Sequence, residues 1–192
     1  MNICLYGASS DAINKMYIES VEQLGREIAK RGHTLVYGAG ARGLMGAAAR
    51  GAHAENGTII GVSPAFFDVD GILFKDCTEL IITETMRERK QIMEDKSDAF
   101  IMVPGGIGTF EEFFEILTLK QIGRTSKAIT IFNLNGYFNE IFSLMQKAID
   151  EKFMKEECHE LAESFTDISQ LLDYLENYEG HLADIHDMKH LS

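Results

Sequence analysis

The chain has 192 residues, 45% of them hydrophobic and 25% charged, with a formal net charge of -12 at pH 7. This length and composition are typical of one globular domain that buries a sizeable core. The negative charge repels nucleic-acid phosphates and anionic membranes, so we expect neither as a partner. Any phosphate must be held locally, by backbone amides and a few placed cations.

Three cysteines, Cys4, Cys77 and Cys158, are unevenly spaced and form no CxxC pair. This pattern favours reduced thiols over a disulfide framework, and no metal site is indicated. The N-terminus leads into a strand without a basic segment. No apolar run approaches the ~20 residues of a membrane span. The sequence therefore predicts a soluble cytoplasmic protein.

Strands and helices alternate from the start of the chain. Residues 2–7 read as a strand, and a turn at 7–11 supplies a Ser or Asp cap for a helix predicted at 13–31. A strand at 33–37 completes a βαβ unit. A second glycine-rich loop, 38–46, then leads into an alanine-rich helix whose small side chains allow close packing on a sheet.

The next segment ends in a helix that begins with several cations. Strands are predicted at 58–62 and 79–83, followed by a helix at 86–96. The macrodipole disfavours cations at a helix start. Arg89 and Lys90 therefore need a compensating anion, such as a phosphate or Glu112.

A short apolar strand, 99–103, runs into the glycine-rich turn around which the chain is organised. Pro104 stops the strand, and Gly105, Gly106 and Gly108 let a ligand approach the backbone closely. The amides that follow open a helix and suit a phosphate. Glycine in such a turn also has purely steric uses, so the turn alone does not decide for phosphate binding.

Acidic residues follow the turn, and they have two interpretations. Thr109 and Glu112 fit a capping box, with the threonine as N-cap and the glutamate at N3. Alternatively, Glu112 serves chemistry, with Glu115 one turn further along the same face and directed at the mouth of the turn. Two acids beside a phosphate-binding turn favour the second interpretation.

The remaining elements complete a Rossmann-like three-layer α/β/α domain with a parallel sheet, over residues 1–178. Its last predicted elements are a helix at 109–123, a strand at 128–132, and helices at 137–152 and 168–178. We expect the tail, 179–192, to be flexible. Its three histidines, His181, His186 and His190, have no placed acidic or cysteine partner, so we predict no metal site.

Two motifs resemble those of one family. Residues 104–112, PGGIGTFEE, are similar to the PGGxGTxxE signature of the LOG ("Lonely Guy") family, and residues 86–90 stand where the family has Met-His-x-Arg-Lys. Arg87 replaces the family's histidine. The resemblance covers about residues 2–178. Ala39 replaces the second glycine of the family's Tyr-Gly-Gly-Gly, so we expect no positive φ at this position.

Members of this family are cytokinin-activating phosphoribohydrolases, and the resemblance implies a reaction. The reaction is hydrolysis of the N-glycosidic bond of an adenosine-type nucleoside 5′-monophosphate, in a homodimer and without a cofactor. Glu112 and Arg89 would be the catalytic residues. The expected substrate-binding residues are Ser9, Met86, Lys90, Gly105, Gly106, Ile107, Gly108, Thr109, Glu115 and Thr118.

Several alternatives remain open at this stage. Ser9 could simply cap a helix, and Asp70 could stand in for a family acid that an ungapped count places at Gly71. A nucleotide sensor or carrier would use the same loops without catalysis. The lysine decarboxylase label sometimes given to such sequences needs a buried lysine, and Lys90 lies among charges. The sequence does not decide between adenine and a prenylated adenine.

Overall fold

The computed structural model describes residues 1–69, 71–182 and 184. Within them, seven parallel strands form one sheet in the order β4-β3-β2-β1-β5-β6-β7. The strands are β1 Asn2–Tyr6, β2 Thr34–Tyr37, β3 Ile59–Pro64, β4 Glu79–Thr83, β5 Ala99–Met102, β6 Ala128–Phe132 and β7 Glu163–Phe165. The helices are α1 Lys15–Lys30, α2 Gly43–Ala54, α3 Met86–Lys96, α4 Ile107–Gln121, α5 Asn139–Asp150 and α6 Ile168–Asn177.

Helices cover both faces of the sheet. Successive residues of a strand point to opposite faces, so Ile3 and Leu5 of β1 face one side while Cys4 and Tyr6 face the other. The first side packs against α1, α2 and α6, and the second against α3, α4 and α5. This is the predicted three-layer Rossmann-like α/β fold with a parallel sheet, and the prediction is confirmed.

The strand order fixes where a ligand can bind. The chain proceeds outward from β1 in one direction to β4, and then resumes on the other side of β1 with β5. The loops after β1 and β5 therefore leave neighbouring strands in opposite directions and open a crevice at the carboxyl edge. Such crevices are the usual ligand sites of open α/β sheets.

The helix starts differ from the prediction in two places. Helix α1 is capped by Asn14, whose side chain accepts from the Met16 amide at 2.9 Å, rather than by a Ser or Asp. Helix α4 has Gly106 as its N-cap, so the capping box of Thr109 and Glu112 is wrong. Glycine allows the chain to turn into the helix early, which leaves Thr109 inside the first turn and Glu112 in the second.

The prediction for Ala39 is also wrong, because this residue has a φ of 59°. Backbone bonds fix the loop on both sides of it. The Ala39 carbonyl accepts from the Phe74 amide at 2.9 Å, and the Ala41 amide donates to the Ile72 carbonyl at 2.8 Å. These bonds hold an alanine in the left-handed region that glycine usually occupies.

Other predictions concern membrane spans, metal sites and disulfides. In the part of the chain that the structure describes, no helix is long and apolar enough to cross a membrane, and no His, Cys, Asp or Glu cluster is arranged to hold a metal. Cys4, Cys77 and Cys158 form no disulfide with one another. Asp70, His186 and His190 lie outside the described residues.

Candidate active site

A cavity of about 670 Å³ opens at the carboxyl edge of the sheet, in the crevice between the loops after β1 and β5. The loops after β1, β2, β3 and β5 contribute to its wall, together with residues of the helices α2, α3 and α4. The lining residues include Ser9, Gly38, Arg42, Ser63, Phe67, Ile72, Met86, Arg89, Gly106, Ile107, Gly108, Thr109 and Glu112. The cavity thus combines backbone of the central glycine turn with two arginines, one carboxylate and several apolar side chains.

The start of α4 offers amides to this cavity. The first amides of any helix lack an intrahelical acceptor, and the N-cap Gly106 makes no side-chain bond to them. Residues 106–108 are exposed where they line the cavity, whereas Gly105 behind them is buried. The helix dipole adds partial positive charge at this point. An anion fits this part of the wall.

Helix α2 also begins at the cavity, but its first amides are occupied. The Gly43 amide donates to the Asp11 carboxylate at 2.7 Å, and the Leu44 amide donates to the Ala8 carbonyl at 2.8 Å. The carboxylate of Asp11 would also repel an anion. Of these two helix starts, α4 is therefore the one suited to a phosphate.

Arg89 and Glu112 form a buried ion pair that lines the cavity. The guanidinium Nη1 donates to Glu112 Oε1 at 2.6 Å, and Nε donates to the Val62 carbonyl at 3.1 Å. Only 7% and 10% of the two side chains are exposed. The predicted need of Arg89 for a compensating anion such as Glu112 is thereby confirmed. A Cβ at Gly38 would lie 2.0 Å from Arg89 Nη2, so glycine at this position makes room for the guanidinium.

The pKa of Glu112 is raised above its ordinary value of 4.5, chiefly because burial disfavours the charged form. The charge and the hydrogen bond of Arg89 act in the opposite direction and lower the pKa. The result is a carboxylate largely removed from water but aimed at the cavity. Perturbed groups of this kind cluster at functional sites.

Three predicted binding residues, Lys90, Glu115 and Thr118, lie outside the cavity. Lys90 pairs with Glu111 and with Glu115, the latter at 2.8 Å, and the Thr118 hydroxyl donates to the Phe114 carbonyl at 2.7 Å. Their placement corrects the expectation that Glu115 points at the glycine turn. Glu115 lies one helical turn beyond Glu111, on the outer face of α4, where it pairs with Lys90.

The charges around Lys90 also bear on the decarboxylase alternative. Burial lowers the pKa of Lys90, but the carboxylates of Glu111 and Glu115 outweigh it and raise the pKa above its ordinary value. A Schiff base requires an amine that loses its proton readily. Lys90 is poorly suited to this chemistry.

The other predicted residues lie at or beside the cavity. Ser9, Met86, Gly106, Ile107, Gly108 and Thr109 line it, and Gly105 lies directly behind the turn. Arg87 is exposed and does not line the cavity. Sequence reasoning missed Arg42, an exposed cavity residue that is the N-cap of α2. A cation directly before a helix start, where the dipole disfavours it, was the available signal.

The fold and this cavity define a Rossmann-like α/β protein with a cavity at its topological switch point. A family model described as "Possible lysine decarboxylase" matches residues 45–175. The chain is 34% identical over 176 residues to the cytokinin riboside 5′-monophosphate phosphoribohydrolase LOG2 of Arabidopsis thaliana, covering 92% of this chain and 83% of that protein. The chain belongs to this LOG family and is an enzyme of the phosphoribohydrolase class.

A further relative and two solved structures are similar to this chain. LOGL2 of rice, named as a probable phosphoribohydrolase of the same kind, is 33% identical over 92% of this chain and 72% of its own length. The molybdenum cofactor binding protein of Rippkaea orientalis superposes with a TM-score of 0.70, at 19% identity, over 91% of this chain and 94% of its own. The molybdenum cofactor carrier of Chlamydomonas reinhardtii superposes with a TM-score of 0.68, at 22% identity, over 91% of this chain and 94% of its own. These two structures share the fold.

Proposed function

We propose that the chain hydrolyses the N-glycosidic bond of an adenosine-type nucleoside 5′-monophosphate, giving the free base and ribose 5-phosphate. The observation that carries this proposal is the position of the Arg89–Glu112 pair, which lines the same cavity as the uncapped start of α4. The cavity thus provides a place for an anion and a place for bond cleavage. The substrates named for the plant relatives are of this chemical class.

The 5′-phosphate binds at the glycine turn in this proposal. The amides of residues 106–108 are the proposed donors to this anion, and Ser9 and Arg42 line the same cavity and can add a hydroxyl and a guanidinium donor. The net charge of -12 makes such local recognition necessary. Binding the phosphate also positions the glycosidic bond for reaction.

Glu112 is the proposed catalytic carboxylate. Departure of the purine leaves an oxocarbenium-like ribose, which a nearby carboxylate stabilises while a carboxylate oxygen also orients or deprotonates the attacking water. The glycosidic bond electrons leave with the base, the water oxygen bonds to the ribose anomeric carbon, and the proton that the water loses passes by way of the Glu112 carboxylate to the departing base. Arg89 holds Glu112 in place and contacts the substrate through its remaining N–H groups.

The base fits the apolar part of the cavity. Phe67, Ile72, Leu73 and Met86 line this part, and Phe67, Ile72 and Met86 are 43%, 41% and 37% exposed. Such a wall accepts a purine face and gains from additional apolar groups on the base. AMP and N6-prenylated AMP are therefore the two substrates to compare.

The direct test is to incubate the protein with AMP and, separately, with prenylated AMP, and to measure free base and ribose 5-phosphate. Stoichiometric release of both products from either nucleotide supports the proposal. Tight binding without turnover would instead identify a nucleotide carrier or sensor of the same fold.

Gly108→Ala tests the phosphate site without disturbing the protein around it. A Cβ at Gly108 meets nothing within 4 Å, and alanine is favoured over glycine in a helix by about 1 kcal/mol. We expect unchanged or slightly higher thermal stability but at least tenfold weaker AMP binding, because the methyl group would displace the phosphate from the amides. Calorimetric titration and thermal melts measure both quantities.

Gly105→Ala is the control for Gly108→Ala. A Cβ at Gly105 would lie 2.0 Å from Thr109 Oγ1, so this variant should lose thermal stability whether or not a ligand binds nearby. Wild-type AMP affinity in Gly108→Ala would place the phosphate elsewhere.

We also propose a homodimer that uses the outer face of α4 and α5. Helix α5 is amphipathic, and its core-facing apolar side chains are only half-buried. The exposed apolar residues of this region are Ile107 at 88%, Phe114 at 38%, Leu144 at 64% and Phe153 at 80%. Ile107 lines both this outer face and the cavity, so a partner seated here would border the active site. Sedimentation showing a fully active dilute monomer would contradict the proposal.

A further inference from the structure

Tyr137 contacts the glycine turn from the loop after β6. Its hydroxyl donates to the carbonyl of Gly105 at 2.7 Å. Gly105 is buried, whereas the next residues, 106–108, are exposed at the cavity. Tyr137 therefore contacts the turn at its buried residue. It binds the carbonyl that directly precedes the amides proposed to hold the phosphate.

The loop around Tyr137 is itself firmly held. The Asn133 side chain accepts from the Phe138 amide at 2.9 Å and donates to Asn139 Oδ1 at 3.0 Å. Asn135 and Gly136 take left-handed conformations, with φ of 53° and 69°. The Tyr137 ring packs edge-on against Tyr17 and Phe138. These contacts fix the position of the hydroxyl.

The bond to Tyr137 sets the direction of the next amide. A trans peptide is planar, and its C=O and N–H point in opposite directions. When Tyr137 holds the Gly105 carbonyl, the N–H of Gly106 must point away from Tyr137. Since Gly106 lines the cavity, this N–H is available to an anion there.

The peptide between two glycines is the one that can most easily rotate. Gly106 has no side chain to restrict its φ, and even an added Cβ would meet no atom within 4 Å. Rotation by half a turn would replace the N–H at the cavity with a C=O, and a carbonyl repels a phosphate. We propose that Tyr137 is a positioning residue that locks the Gly105–Gly106 peptide in its anion-binding orientation. This role rests on the proposed binding of a 5′-phosphate at the turn.

Tyr137→Phe is the variant that tests this role, because it keeps the ring packing and removes only the donor. We expect KM for AMP to rise roughly tenfold or more, while kcat changes little. The pair of Arg89 and Glu112 is untouched by the substitution, so the chemical step should proceed once AMP is bound. Affinity for adenosine, which lacks the phosphate, should stay the same.

Tyr17→Phe is the matched control. Tyr17 packs against the ring of Tyr137, with centroids 6.2 Å apart, but the bond to Gly105 comes from Tyr137. This control removes a hydroxyl from the same aromatic contact and should leave the AMP affinity as in the wild type. Thermal melts of both variants establish that each is folded.

The outcomes separate this inference from the proposed function. A wild-type protein that binds AMP no more tightly than adenosine has no phosphate site, and the proposed function fails with it. If the wild type prefers AMP and Tyr137→Phe retains the full preference, the positioning role is overturned. Equal losses for AMP and adenosine in Tyr137→Phe would also overturn it, because they would indicate general loosening of the cavity.

Discussion

Glu112→Gln is expected to lower kcat by roughly 100-fold or more while AMP still binds. The amide oxygen of glutamine can still accept from Arg89 Nη1, so the side chain should remain where the carboxylate now lies. Only the negative charge is lost, and with it the stabilisation of a positively charged ribose. Steady-state kinetics and AMP titration of the purified variant measure both effects.

The pH profile of the wild type provides a second check on Glu112. The proposed mechanism needs the ionised carboxylate, and burial raises its pKa above 4.5. We therefore expect kcat to fall as the pH decreases through a value above 4.5. The residual activity of Glu112→Gln should lack this acid limb, since glutamine does not titrate.

Glu115→Gln is the matched control for Glu112→Gln. Glu115 lies on the same helix and also pairs with a cation, Lys90, but it does not line the cavity. Its kcat should stay close to that of the wild type. A wild-type kcat in Glu112→Gln would contradict the proposed mechanism. A large loss of kcat in Glu115→Gln would make Glu115 the candidate for the catalytic carboxylate.

Local patterns were sufficient to predict most of the fold. The strand Glu79–Thr83, the helix Met86–Lys96 and the strand Ala128–Phe132 have the predicted bounds, although the alternation in the first of them is brief. The strand Glu163–Phe165 was missed. It has three residues, none of them buried, at an edge of the sheet, so its pairing to β6 leaves little pattern in the sequence.

The two errors of backbone conformation have different causes. A left-handed alanine at position 39 depends on bonds to residues 72 and 74, more than thirty positions away along the chain. The early start of α4 depends on Gly106, since a glycine N-cap leaves no side-chain signature of the kind that Thr109 presented. Local propensity carries no information on the bonds that hold Ala39, and at α4 it favoured the wrong cap.

The pairing of Arg89 with an anion was predictable, whereas the positions of Arg42 and Tyr137 near the glycine turn were not. The helix dipole disfavours a cation at a helix start, so the sequence alone indicates that Arg89 has an anion beside it. Arg42 and Tyr137 instead reach the site on loops from β2 and β6, and the strand order brings these loops near the glycine turn. This order comes from crossovers that a single sequence does not specify.

Arg89→Ala is expected to abolish turnover and also to destabilise the fold, by about 3–5 kcal/mol at neutral pH. The substitution leaves the carboxylate of Glu112 buried without its partner, and it also removes the donor to the Val62 carbonyl. Chemical denaturation at several pH values measures the loss. The destabilisation should shrink as the pH falls, because burial then favours protonation of Glu112 and a neutral carboxyl needs no cation.

The double variant Arg89→Ala/Glu112→Gln separates stability from catalysis. Glutamine removes the unpaired charge, so the double variant should be more stable at neutral pH than Arg89→Ala alone. It should remain inactive, because it has neither the carboxylate nor the guanidinium. If Arg89→Ala alone keeps the wild-type stability, water reaches Glu112 freely and the pair is not effectively buried. If the double variant recovers activity, neither residue belongs to the catalytic machinery.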